Sequence, residues 1–81
     1  MIRVLLFGRL RDVAGFGDTV IDAAPASLGA LKRLIGERWP ELSEALKGPG
    51  VQTAIDRALV RGDASLRPGA EVAFMPPMSG G

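Results

Sequence analysis

At 81 residues the chain can build one small domain and not two, and its 47% hydrophobic and 23% charged content sits in the globular range, away from disorder. A net charge of +1 supplies no basic footprint for nucleic acid and no charged block for an anionic membrane. Cysteine, histidine and tyrosine are absent, which excludes disulfides, thiol nucleophiles, Ser–His–Asp catalysis and the usual zinc sites, while glycine (11) and proline (6) are abundant.

Residues 2–7 are almost unbroken aliphatic and aromatic, with Arg3 the one interruption, and predict a strand inside a sheet. The segment is far too short for a signal peptide or a membrane span, so a soluble, cytoplasmic protein is expected. Gly15-Phe16-Gly17-Asp18 is turn chemistry and Thr19-Val20-Ile21 is β-branched, predicting a hairpin of the first two strands across a long loop. Ser27 stands as an N-cap before Leu28, Leu31, Leu34, Ile35 and Trp39, which fall on one stripe of a helix that Pro40 stops. A second short helical segment over 41–47 has acid first, base last and Gly48 beyond it.

After Gly48-Pro49-Gly50, two short strands are predicted around Val51, Thr53 and Ile55 and around Ala58-Leu59-Val60, and a last one over 70–75. The order β-β-α-(α)-β-β-β is α+β, a mixed sheet of about five strands with a helix over one face, as in the ubiquitin-like β-grasp. Residues 1–75 form the domain and 76–81 a flexible tail.

One helix covers one sheet face, yet the first strand offers apolar side chains to both: Ile2, Val4 and Leu6 on one side, Leu5 and Phe7 on the other. Phe7, Leu59 and Met75 therefore form either an exposed apolar patch of the kind that marks a protein interface or the rim of a small core.

Pro76 and Pro77 follow the last strand and lack the N–H groups to extend it, so 76–81 are expected to project as an arm reaching at most about 20 Å, stiff at its base. A Ser-Gly-Gly end is also the composition of a plain flexible linker. Two terminal glycines, however, let the ionised α-carboxylate of Gly81 thread a narrow pocket in which a Cβ would clash. Held there with ATP by an enzyme, that carboxylate can attack the α-phosphate to give an acyl-adenylate.

The end Phe74-Met75-Pro76-Pro77-Met78-Ser79-Gly80-Gly81 resembles that of the small, sulfur-carrying subunits of molybdopterin synthase, the MoaD-like sulfur carriers. The opening strand, Arg11 after it, Leu59-Val60 and the run from Pro68 to Phe74 are similar too, so the likeness spans nearly the whole chain. Met75, where relatives often carry an aromatic, and Met78, usually a smaller aliphatic, depart from the pattern without changing polarity.

The resemblance implies that an adenylyltransferase related to ubiquitin activation spends Mg-ATP to adenylate Gly81, and that a sulfur donor then makes a thiocarboxylate. The tail, Gly80 and Gly81 at its tip, would enter the large catalytic subunit and pass sulfur to cyclic pyranopterin monophosphate, in a heterotetramer of two small and two large subunits. It further implies that the domain binds no cofactor itself, that Phe7, Leu59 and Met75 dock on the large subunit, that Pro76, Pro77, Met78 and Ser79 are held by partners, and that Arg11 pairs with the activating enzyme. The competing readings are a carrier for another pathway, such as thiamine thiazole synthesis, and a ubiquitin-like modifier or binding module.

Overall fold

The computed structural model describes residues 1–77, and β1 (Ile2–Leu6) alternates as its sequence predicts. Ile2, Val4 and Leu6 are buried, Arg3 is exposed and Leu5 half-buried. The chain continues through α1 (Gly8–Ala14), β2 (Asp18–Ile21), α2 (Leu28–Arg38), α3 (Pro40–Leu46), β3 (Gln52–Ile55), β4 (Ala58–Val60) and β5 (Glu71–Met75). The five strands lie in the order β2-β1-β5-β3-β4. β1 and β5 run parallel and the other neighbours antiparallel, giving the mixed β-grasp sheet. Those pairings make β2 and β3 parallel, so α2 and α3 lie on the crossover between them.

The segment expected to be a loop between β1 and β2 contains a helix instead. β1 and β2 still pair antiparallel, from Ile2 opposite Ile21 to Leu5 opposite Asp18, but α1 replaces the open hairpin connection. Seven residues give too little periodicity to reveal a helix, and this one buries only Leu10. Gly15 closes it in the left-handed region, φ 85°, donating its N–H to the Arg11 carbonyl at 2.9 Å.

The predicted N-cap is in place: Ser27 Oγ accepts from the Ala30 N–H at 3.1 Å. Asp63, from the loop after β4, adds a second acceptor, taking the Gly29 and Ala64 N–H groups on Oδ1 at 2.9 Å each. These donors hold its carboxyl below the usual carboxylate range. Backbone bonds Leu28 N to Ala64 O (2.8 Å) and Leu66 N to Ala26 O (2.9 Å) sew the same loop to the entry of α2. Trp39 ends α2, and Pro40 also begins α3 at a position where its missing N–H costs nothing.

The covered face therefore meets three helices rather than one. Leu10, Leu28, Leu31, Ile35, Leu42 and Leu46 pack against Val4, Leu6, Val72 and Phe74, with the Trp39 ring 5.1 Å from that of Phe16 at the margin. Each fully buried side chain of this size contributes about 1.5–3 kcal/mol. β3 and β4 are joined by Asp56 and Arg57, both in the left-handed region (φ 49° and 72°), the backbone of a type I′ hairpin turn built without glycine.

Candidate functional site

The other face of the sheet carries no helix. On it the register sets Asp18, Leu5, Ala73, Ala54 and Leu59 side by side across all five strands, a row about 19 Å long at the usual strand spacing. One pleat further along, Met75 lies opposite Gln52, with Phe7 at the end of the neighbouring β1. Phe7 is 48% exposed and Leu59 64%, while Val72 and Phe74, which alternate with Ala73 and Met75, are fully buried under the helices. The three residues expected to form a patch thus share one open face, and the exposure of Phe7 and Leu59 decides against the core-rim reading for those two. Met75 is half-buried among them.

Alternation in the sequence sets Leu5 with Phe7 and Ala73 with Met75, but it does not join them, or Ala54, into one strip. Leu5, Ala54 and Ala73 complete the apolar strip, and the two alanines leave a low floor between Leu5 and the taller Leu59. The signal was the period-2 alternation of β1, but extending it across the sheet needs the register, which pairs Leu5 with Ala73, 68 positions apart. The strip is bounded by a charged corner at the β1–β2 edge. Arg3 clamps Asp18 with two bonds, Nη2 to Oδ2 at 2.6 Å and Nε to Oδ1 at 3.2 Å, and Glu71 stands 3.7 Å from Nη1. The hydrogen bond from Arg3, more than its charge at a distance, lowers the Asp18 carboxyl below its ordinary range.

Arg11 is exposed on α1, with its guanidinium group beside Gly17. Pro76 and Pro77 leave β5 directly beyond Met75, so the stem of the tail starts at the apolar strip. Met78, Ser79, Gly80 and Gly81, to which the sequence assigns the reacting end, lie outside the described residues. Among the described residues no group of three carboxylates or other ligating side chains could hold a metal ion, and no helix is long and apolar enough to cross a membrane.

What the described surface offers is adhesion and aim: an apolar strip with a charged edge, and a rigid dipeptide at its end. The ThiS family matches residues 4–81 of the chain. A protein of Escherichia coli named molybdopterin synthase sulfur carrier subunit is 33% identical over the full 81 residues of both chains. Among solved structures, SAMP1 of Haloferax volcanii superposes with a TM-score of 0.83 at 23% identity, covering 99% of this chain and 98% of its own. A Pyrococcus furiosus protein assigned as molybdopterin converting factor, subunit 1, does so with a TM-score of 0.77 at 26% identity, covering 95% and 97%.

Proposed function

The chain belongs to the ThiS family, and from that membership we propose that it is the sulfur-carrier subunit of a molybdopterin synthase, working through the carboxylate of Gly81. The observation that carries this reading is the full-length match to a relative bearing that name, over a chain that keeps both the Pro76-Pro77 stem and the Gly80-Gly81 end.

In the first step a Gly81 carboxylate oxygen attacks the α-phosphorus of ATP, with Mg-ATP held by a separate adenylyltransferase, and pyrophosphate leaves. Sulfide from a sulfur donor then adds to the acyl-adenylate carbonyl and AMP departs, leaving a thiocarboxylate. A bare carboxylate resists such attack because its leaving group would be oxide; the adenylate supplies a good one. In the final step the large subunit takes up the tail, sulfur passes to cyclic pyranopterin monophosphate and hydrolysis returns the carboxylate. Each carrier brings one sulfur, so a dithiolene needs two, which suits an assembly of two small and two large subunits.

The domain's part is delivery. Phe7, Leu59 and Met75 dock on the large subunit, and Pro76, Pro77, Met78 and Ser79 lead Gly80 and Gly81 into its pocket. Arg11 would pair with an acidic group of the activating enzyme. The Pro76-Pro77 stem argues against a carrier for thiamine thiazole synthesis, the alternative within the same chemistry. Incubating the full chain with its activating enzyme, Mg-ATP and sulfide should change the intact mass by one oxygen-to-sulfur exchange at Gly81. Adding one residue beyond Gly81 should abolish the change while leaving the fold intact. A wild-type chain that forms neither adenylate nor thiocarboxylate would end this reading.

A further inference from the structure

Two glycines far apart in sequence touch the stem of the tail. A Cβ on Gly50 would stand 2.8 Å from Pro77 Cβ, 3.3 Å from its Cγ and 3.7 Å from its Cα, and a Cβ on Gly8 would stand 2.8 Å from Pro76 Cγ and 3.6 Å from its Cδ. Real Cβ atoms do not approach heavy atoms that closely. The opposing atoms belong to pyrrolidine rings and a backbone carbon, so relief requires the stem itself to shift rather than a side chain to turn away. Both glycines are also in the left-handed region, at φ 80° and 55°.

Their places in the fold give the contacts a direction. β5 lies between β1 and β3. Gly8 follows β1 by one residue beyond Phe7, and Gly50 precedes β3. Where the prolines end the ladder of hydrogen bonds, the two flanking strands therefore supply close packing in its place, Gly8 from the β1 side on Pro76 and Gly50 from the β3 side on Pro77. The same two junctions border the apolar strip at Phe7 and at Gln52, opposite Met75.

We propose that Gly8 and Gly50 are positioning residues, a two-sided cradle that fixes the direction in which the tail leaves the sheet relative to the docking face. The inference rests on the sulfur-carrier reading and deepens it: once the domain has docked, the cradle sets the direction in which the tail starts toward the partner's pocket. The reacting carbon belongs to Gly81, four residues beyond Pro77, so the direction set at the stem limits the places the tip can reach. Misplacement by about 1 Å can cost as much as 100-fold in rate.

The test follows pyrophosphate release by the activating enzyme with Mg-ATP over a range of full-length carrier concentrations, with thermal unfolding measured alongside. Gly50→Ala is expected to lower kcat by about tenfold or more while KM, set by how the rest of the domain binds the activating enzyme, changes by less than about threefold. Gly8→Ala should act in the same direction. Gly69→Ala is the control: its φ of 83° imposes the same backbone strain, but no atom lies within 4 Å of its added Cβ, so kcat should stay at the wild-type value. Should Gly50→Ala fail to fold, Pro77→Gly carries the test, since it removes the ring from an exposed position past the last strand and should lower kcat without lowering the melting temperature.

Wild-type kcat in Gly50→Ala or in Pro77→Gly, or an equal loss in Gly69→Ala, overturns the cradle. Failure of the wild-type chain to release pyrophosphate is a different result, and overturns the carrier reading on which the cradle stands.

Discussion

Truncating Leu59 separates docking from folding. Burying a whole leucine side chain is worth about 1.5–3 kcal/mol. In the free chain 64% of Leu59 faces water, so about two thirds of that, roughly 1–2 kcal/mol, is left for a partner to collect. Leu59→Ala should therefore weaken binding to the large subunit of the synthase by about 5- to 30-fold in Kd. Phe7, at 48% exposure, should lose about 1 kcal/mol or more on truncation by the same argument. Isothermal titration of full-length carrier into the purified large subunit reads the affinity, and thermal unfolding of the free carrier reads the stability. The melting temperature should hardly move, because the atoms removed already face solvent. Unchanged affinity in both variants, or a fall in melting temperature like that of a core truncation, would refute the assignment of this face.

Phe74→Ala, on the same sheet but beneath the helices, should instead destabilise the chain by about 3–5 kcal/mol in denaturant titration, since Phe74 is fully buried. Arg57→Gly should stabilise it, by about 0.5–1 kcal/mol, because glycine relieves the left-handed strain at φ 72° and completes the Asp-Gly pair that a type I′ turn favours; a lower denaturation midpoint would contradict the turn assignment. The Asp63 carboxylate is stabilised by the Gly29 and Ala64 N–H groups, so its folded pKa lies below the unfolded one. Its contribution is present above the unfolded value of about 3.9 and is lost as pH falls through the folded value. Asp63→Asn should accordingly lower the melting temperature at pH 7, with the gap to wild type closing below pH 4; a gap independent of pH would show that the charge is not what holds the loop to α2.

How much the sequence revealed follows from the range of each interaction. Ser27 as an N-cap, the stripe Leu28, Leu31 and Ile35, and the alternation of β1 and β5 are local: each rests on neighbours within a turn or a pleat, and all were legible. α1 was not, because its single buried residue, Leu10, matters only once the rest of the core exists. Nor was the role of Asp63, which depends on Gly29, 34 residues earlier.

The abundance of glycine and proline and the absence of side-chain nucleophiles were read from composition. Together with the likeness of its end to the sulfur carriers, they point to the terminal carboxylate of Gly81 as the proposed reacting group. Tertiary structure decided which glycines matter to the stem. Gly8 and Gly50 look in sequence like any turn glycines, and become distinct only when β5 runs between β1 and β3 and brings two prolines against them. The apolar strip proposed for docking has the same origin. Alternation sets Leu5 with Phe7 and Ala73 with Met75, away from the core, but strand order and register put those pairs, Ala54 and Leu59 on one surface, because contacts across a sheet are set by pairing and not by distance along the chain.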